Sequence, residues 1–404
     1  MPWCPACEWD LEAFDPADSP WAIARPLARW GHRRARRRDP VLRASFAPDL
    51  SGRSTSDGAV SLLALLSTVV LAGWAVSLIA LVVLWWGDRW LAVWLTAPLL
   101  LLAWLCRPPW GRTPVAERRD PHNALDAVVG EVARQVGVAA PAVVALDHSP
   151  VIRFQRRGLR QRGVLTIGLP LWLALDPAAR VCALAHELSH EATTDAARAW
   201  LELPARAATT RLVAVLRGAG AQSLLTPRRP SARGSLDALR TVIFAVVGVL
   251  RVVAVALHLA VATVGWEERR TREYRADVEA VRVGGTAGFV LWQDQALLVP
   301  GLLIQLWHLA PRYGEEAFAL LAAEFWAGSQ DALAALRQHT RRVDDIWAVE
   351  PPAADRSALA RAHPVVQPSL VLADHLWRSA DAELVPAYRA LHRRLLGTRD
   401  RYAV

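Results

Sequence analysis

The stretch "AHELSHEATTDA", residues 185–196, sets two histidines four residues apart with a glutamate directly after the first. On an α-helix His186 and His190 lie one turn apart on the same face, so both imidazoles can reach a single Zn²⁺ at about 2.0–2.1 Å. Glu187 points in a neighbouring direction and makes a poor third ligand. It is placed instead to hold a water, take its proton as that water attacks a carbonyl, and return the proton to the leaving amine. The same spacing also occurs on solvated helix surfaces, so a third ligand has to decide. "TREYRADVEA", residues 271–280, offers one: Glu273 and Asp277 are again i and i+4 on an expected helix. The Glu273 carboxylate would complete a two-His, one-Glu set and leave the fourth position for water. Asp277, one turn on, is positioned to accept a hydrogen bond from a liganding imidazole and so fix its tautomer. Taken alone, Glu273 and Asp277 would equally suit a solvated face among arginines. A metzincin pattern is excluded, because it needs Gly and His where this chain has Thr193 and Ala196. An intramembrane protease is excluded as well, since Arg180, Glu187, Glu191 and Asp195 make the helix too polar and no Asn-Pro-Asp-Gly-like ligand follows.

The elements that must position these groups are legible around them. Asp176 and Pro177 form an N-cap and first-turn pair, and Val181, Leu184, Ala185 and Leu188 fall at i, i+3, i+4 and i+7, an amphipathic helix. Upstream, "NALDAVVGEVARQVGV" has helical spacing, while "AVVALDHSPVIRFQ" and "GVLTIGLPLW" read as two or three short strands parted by polar turns. The strand around Leu165–Leu169 sits just before the helix, which suggests that it pairs with an extended substrate beside the metal. From Glu267 onward the pattern is of helices broken at Pro300, Pro311, Pro351 and Pro352, and there is no internal repeat.

The first third has a different character. Residues 59–86 carry no charge over 28 positions, longer than the roughly 20 needed to cross a bilayer, and residues 90–106 add a second uncharged run of 17 after the turn "GDR". Trp85, Trp86, Trp90 and Trp94 cluster where an interfacial aromatic belt belongs. Arginines crowd before this hairpin (Arg33, Arg34, Arg36, Arg37, Arg38) and after it (Arg107, Arg112, Arg118, Arg119), against Arg89 in the turn, so both ends are expected on the cytoplasmic side. No cleavable signal peptide is expected, because the first fifty residues are polar. Residues 241–265 are long enough to span but carry Arg251 near the middle. If His190 and Glu273 share one metal, the 82 residues between them cross the bilayer zero or two times. We favour a helix at 241–265 that packs on the hairpin or lies partly embedded, with a second hairpin as the alternative.

Composition narrows the rest. With 53% hydrophobic residues in a chain of 404, membrane association is the natural class. The net charge of +9 comes from 47 basic residues that are all Arg, a compositional bias of the kind a GC-rich genome produces, and no basic module with interleaved aromatics suggests nucleic-acid binding. Four cysteines are too few and too scattered for a disulfide framework. Cys4 and Cys7 in "WCPAC" are half of a zinc ribbon without its partner half, so they read either as reduced thiols or as a second metal site completed from elsewhere.

These pieces together resemble the HtpX-like membrane zinc metallopeptidases, the family that includes the CAAX prenyl-protein endoprotease. The resemblance runs over residues 59–380 and rests on the N-terminal hairpin, "GVLTIGLPLWLALDP", "VCALAHELSHEATTD" with Asp195 at the family's acidic position, "REYRAD", and the late "AHP" at 362–364. It implies His186, His190 and Glu273 as ligands of one catalytic Zn²⁺, Glu187 as the base, Asp277 behind a ligand, and His363 as an assistant to the tetrahedral oxyanion. The chain departs from the family in carrying "VIRF" (Val151–Phe154) where an Asn-Ala-Phe stretch is usual, and in a less hydrophobic insert before "EYRAD".

The expected architecture is therefore mainly α with a small β-sheet, an α+β zincin-type metallopeptidase domain attached to an N-terminal transmembrane hairpin. Residues 1–58 form a cytoplasmic segment, 59–106 the hairpin and 107–400 the peptidase domain. The expected function is a zinc endopeptidase of the inner (plasma) membrane, multi-pass, with its catalytic domain facing the cytoplasm and acting on protein or peptide substrates. The alternative is a non-proteolytic membrane scaffold or sensor with a structural or inert zinc. Oligomeric state and substrate preference are not encoded in any motif.

Overall fold

Two glycines four apart, Gly284 and Gly288, mark where the molecule's two site-bearing helices touch. A Cβ on Gly284 would lie 2.3 Å from Cys182 Sγ, and one on Gly288 would lie 3.0 Å from the Ala178 carbonyl oxygen. The computed structural model describes residues 24–44, 57–87, 89–107, 123–157, 162–192, 204–205, 207–212, 234–313, 330–342 and 350–402. In chain order these form α1 (Ala24–Ala44), α2 (Asp57–Gly87), α3 (Arg89–Cys106), α4 (Asn123–Val136), β1 (Val143–Asp147), β2 (Ile152–Arg157), β3 (Arg162–Gly168), α5 (Leu169–Ala174), α6 (Pro177–Ala192), α7 (Gly234–Tyr313), α8 (Gln330–Arg342), α9 (Ala353–Ala362) and α10 (Asp374–Tyr402), with a further helical turn at 207–212. The fold is mainly α with one three-stranded sheet, as expected.

The chain divides into two compact units that are not contiguous in sequence. One comprises Met1–Arg53, Trp110–Ala196 and Arg269–Val404, and the other Ser54–Pro109 and Ala197–Glu268. The N-terminal helix α1 thus groups with the unit that holds the candidate site.

In the site-bearing unit, the apolar face of α6 (Val181, Leu184, Ala185, Leu188) is buried against α4, the sheet and α7. Fully burying a Leu there stabilises by about 1.5–3 kcal/mol. The start of α6 is tied to α7 by two hydrogen bonds of 3.0 Å each: the Asp176 amide donates to Gln295 Oε1, and Gln295 Nε2 donates to Asp176 Oδ2. The first amides of α4 donate to the Glu383 carboxylate of α10, at 2.8 and 3.1 Å, where a negative charge complements the helix N-terminus.

α7 is broken at Gly285, whose φ of 78° and ψ of 160° lie in a region that glycine adopts without strain. The carbonyls freed at the break are taken up by a neighbouring segment: Ser369 and Leu370 amides donate to Arg282 and Val283, and Thr286 N donates to Val365 O at 3.0 Å. We expect Gly284→Ala to lower thermal stability by about 1–3 kcal/mol through overpacking, and Gly284→Ala with Cys182→Ala to recover most of it. Thermal unfolding of the three proteins checks this. A single variant as stable as the parent would mean that α6 and α7 separate more easily than the contact suggests.

The sheet corrects one expectation. Its order is β1-β3-β2, with β3 parallel to β1 and antiparallel to β2, so β3 is paired on both sides. The strand around Leu165–Leu169 therefore has no edge left for a substrate. Composition and turn residues mark where strands lie, whereas strand order is set by tertiary pairing. The outer edge that runs beside α6 belongs to β2.

In the second unit α2 and α3 pack as a hairpin. Trp85 Nε1 donates to Thr96 Oγ1 at 3.1 Å across it, and Gly73 stands close to Cys106. Ser67 accepts from the Ala205 amide at 3.2 Å, Arg211 Nη1 donates to the Leu105 carbonyl at 3.0 Å near the end of α3, and Thr209 pairs with His258 at 3.1 Å. The outward face of α2, including Val69, Val76, Ile79 and Val82, is more than 60% exposed. Among the described residues, two helical stretches are long and apolar enough to cross a membrane, Ala64–Gly87 and Trp266–Gln305. The second carries Glu273 and Asp277 and is half buried within the molecule, which suits a core helix; the first is mostly uncovered. The side chains of Trp90, Trp94 and Arg251 lie outside the described residues.

Candidate metal centre

α6 presents His186 and His190 on one face, and α7 brings Glu273 opposite them. One donor atom from each of the three lies within 4.8 Å of the other two. His186 Nε2 is 3.3 Å from Glu273 Oε2, and His190 Nε2 is 3.8 Å from Glu273 Oε1. His186 Nδ1 is 3.0 Å from Asp277 Oδ1, so a proton on Nδ1 leaves Nε2 facing Glu273. The two imidazoles meet edge to face with centroids 5.1 Å apart, and Trp292 packs on His186 at the same separation. The i, i+4 spacings read from the sequence thus converge from two helices, and Asp277 stands where a carboxylate orienting a ligand would stand.

Two imidazoles and one carboxylate in this arrangement are the donor set of a hydrolytic metal site. The electrostatics agree. Burial and the Arg356 charge disfavour protonation of His186, but its hydrogen bonds to Asp277 and Glu273 outweigh them and lift its pKa to about 10. Burial would raise Glu273, yet the His186 hydrogen bond and the charges of His190, His186 and Arg356 hold its carboxyl below the usual range. The cluster therefore demands positive charge at Nε2. A divalent cation held by His186, His190 and Glu273 would supply that charge in place of the proton, with Asp277 still accepting from His186 Nδ1.

Glu187 lines an adjoining cleft of about 390 Å³ together with His186, Ile152, Leu171, Trp292 and Arg356. It accepts a hydrogen bond of 2.8 Å from the Phe154 amide on β2. That amide must point away from β3, because alternate residues of an antiparallel strand face opposite edges and Val151 is the one bonded to Gly168. Further along the same edge, Arg156 pairs with Glu191 of α6. "VIRF" is thus the strand that runs along the cleft.

Burial raises the Glu187 pKa to about 7 from the ordinary 4.5, against the opposing pull of His186 and the Phe154 amide. Folding then takes up a proton at Glu187 between pH 4.5 and about 7. In metal-free protein this contribution to stability is complete below pH 4.5 and is lost as pH rises through about 7, with an upper size of about 3 kcal/mol. We expect metal-free Glu187→Gln to match the parent near pH 4.5 and to melt higher at pH 8. Equal melting at both pH values would show that Glu187 ionises normally.

A further residue enters that the sequence reading missed. Arg356, on the second turn of α9 and 3% exposed, donates to both oxygens of Asp277, at 2.6 to 3.1 Å, and its Nη2 lies 3.3–3.4 Å from the His186 ring nitrogens. It lies over the faces of Trp292 and Phe289, at 5.0 and 6.0 Å, and reaches Glu350 at 3.4 Å. The signal available in the sequence was slight: a positive charge near the start of a helix opened by Pro351-Pro352 is unfavourable unless an anion faces it.

His363 ends α9 and is not among the residues lining the cleft. It lies seven residues beyond Arg356, about 10 Å along a helix. The segment that follows it patches the break in α7, where Val365 N donates to Thr286 Oγ1 at 2.8 Å. On this side the cleft is lined by Glu350, Pro351, Pro352, Ala353 and Arg356. Cys4, Cys7 and Asp195 lie outside the described residues.

A small sheet leading into a His-Glu-x-x-His helix, with a carboxylate supplied from a later helix, is the arrangement a metallopeptidase would use, with His186, His190 and Glu273 the residues that could hold its metal. The chain belongs to peptidase family M48, whose sequence profile matches residues 120–367, and this is the family of HtpX and the CAAX protease. No curated protein and no solved structure matches the chain.

Proposed function

We propose that the protein is a membrane-anchored zinc endopeptidase that hydrolyses peptide bonds in protein or peptide substrates. The observation that carries this reading is the convergence of His186, His190 and Glu273 donor atoms within 4.8 Å, with Glu187 beside them in an open cleft. Two imidazoles and a carboxylate favour Zn²⁺ among the available cations. When bound there, the cation supplies Lewis-acid polarisation of the scissile carbonyl and lowers the pKa of water. Glu187 holds the attacking water, takes its proton as the C–O bond forms, and delivers it to the amine as the C–N bond breaks. Asp277 keeps His186 oriented through Nδ1–H, and Arg356 holds Asp277 in place. An extended substrate fits along the outer edge of β2, with an apolar side chain received by Ile152, Leu171 and Trp292.

The α2–α3 hairpin anchors the chain in the inner (plasma) membrane as a multi-pass protein. The arginines flanking the hairpin favour a peptidase domain on the cytoplasmic face, and residues 241–265 are read as packing on the hairpin or lying partly embedded. Such a placement suits processing or quality control of membrane proteins. The test uses the purified full-length chain in detergent with casein. Parent protein is expected to carry about one zinc and to cleave, with activity removed by a chelator and restored by zinc. Glu273→Ala should lose both metal and cleavage. Parent-like zinc content in Glu273→Ala would place the third ligand elsewhere, and zinc without any cleavage by the parent would favour the scaffold reading.

A further inference from the structure

The N-terminal helix α1 reaches into the scaffold behind the metal centre. Its arginines crowd the outer face, where Arg29, Arg33, Arg36 and Arg37 are exposed. Its inner stripe is Gly31, Ala35 and Asp39, at i, i+4 and i+8, all buried. Small residues at the first two positions let the helix lie close to its support. At the third, a carboxylate is 3% exposed, which is costly for a charge unless it is paired and hydrogen-bonded. Asp39 meets that demand in α7: the Tyr274 hydroxyl donates to both its oxygens, at 2.8 and 2.9 Å, and Arg270 Nη1 lies at 3.5 Å.

Tyr274 directly follows the candidate ligand Glu273. Its side chain is fully buried, and its ring packs on Leu359 of α9, one turn beyond Arg356. α1 makes a second tie to α9. Arg43, one turn on from Asp39 and 3.0 Å from it, also reaches Asp355 at 3.3 Å, and Asp355 directly precedes Arg356. α8 adds Arg341, which donates to the same Asp355 oxygen at 2.8 Å. One face of α1 therefore grips both elements that feed the centre, each at a residue adjacent in sequence to a group at the site.

We infer that α1 is a strap that sets the geometry of the metal centre, with Asp39 a positioning residue acting through Tyr274 on Glu273 and, with Arg43, through Asp355 on Arg356. The inference rests on the metallopeptidase reading of the site. Groups that orient a metal ligand from behind change affinity or activity by about 10–100-fold. Asp39 acts one contact further out, so the lower end of that range applies.

The test compares Asp39→Ala and Tyr274→Phe with the exposed-face control Arg37→Ala, all in the full-length chain. Co²⁺ is the probe, its dissociation constant measured by chelator competition and its geometry by visible absorption; kcat and KM come from casein-derived peptides. Asp39→Ala and Tyr274→Phe are each expected to weaken Co²⁺ binding about tenfold, alter its absorption and lower kcat about tenfold with KM within about twofold. The double variant should be no worse than either single one, because both remove one linkage. Arg37→Ala should match the parent throughout. If Asp39→Ala does not fold, Tyr274→Phe decides, since it removes one oxygen from an intact ring. Parent-like cobalt affinity, spectrum and kcat in Tyr274→Phe, even with a lower melting temperature, would overturn the strap and leave Asp39 a purely structural anchor. If the parent cleaves nothing while the cobalt affinities still separate as expected, the strap stands and the endopeptidase reading is what fails.

Discussion

Glu187→Gln is expected to lower kcat by about 10³-fold while leaving one cation per chain and nearly the parent affinity for it. The separation of the two effects follows from the geometry. His186, His190 and Glu273 converge on one point, whereas Glu187 faces the cleft and bonds to the Phe154 amide on the edge strand. Glutamine keeps the volume and an oxygen that can accept from that amide, so neither β2 nor α6 has reason to move. What is lost is the ability to take a proton from water and return it to an amine, the contribution for which general base catalysis is worth about 10²–10⁴-fold. Burial makes the native carboxylate of the metal-free chain a stronger base than an exposed one, raising its pKa to about 7, whereas the glutamine of the variant cannot take up a proton at any working pH. Metal content by atomic absorption and kcat by peptide cleavage check both halves. Loss of metal together with activity would make Glu187 a ligand, and retention of both would remove it from the chemistry.

How far this site could be read in advance depended on how local each relation is. His186, Glu187 and His190 share one helix, so helical periodicity alone sets them relative to one another. Glu273 and Asp277 share another helix, and the number of donors a hydrolytic site needs was enough to bring that helix to the first. Each of these relations spans one turn. The choice of β2 over β3 as the strand along the cleft is different in kind: both strands have the right composition, and the order β1-β3-β2 follows from tertiary pairing that periodicity does not contain. The Gly284-Gly285 pair combines a close helix contact with a helix break, yet in sequence it is only a weak punctuation inside an apolar run. The backbone that follows the "AHP" segment, residues 365–370, closes the break in α7, a long-range pairing that no local pattern announces. α1 was read from its arginines as a charged segment preceding the membrane. What ties it to the site-bearing unit is Asp39, a single acidic side chain whose partners in α7, Tyr274 and Arg270, lie more than two hundred residues away.

Arg356 lay furthest from what local pattern can show, and its removal carries the second large expected effect. Arg356 and Asp277 are 3% and 2% exposed at their side chains and make three charge-assisted hydrogen bonds, so each neutralises the other away from water. Deleting one member of such a pair costs about 3–5 kcal/mol where nothing else offsets the buried charge, far more than the pair contributes relative to an apolar replacement; here His186 Nδ1 stays 3.0 Å from Asp277, so the lower end of that range applies. Arg356→Met, which fills similar space and keeps contact with Trp292 and Phe289, is therefore expected to lower the stability of metal-free protein by about that amount. Adding Asp277→Asn should recover most of the loss, because the orphaned charge is gone. Metal modifies the cost in a predictable direction. Zinc held by His186, His190 and Glu273 would add positive charge close to Asp277, partly replacing what the guanidinium supplied, and would no longer be repelled by Arg356 itself. Zinc should accordingly raise the melting temperature of Arg356→Met by more than it raises that of the parent. Thermal unfolding of parent, single and double variants, each with chelator and with zinc, gives all the terms. A single variant with parent stability and an unchanged response to zinc would mean that solvent, and not Arg356, balances the charge on Asp277.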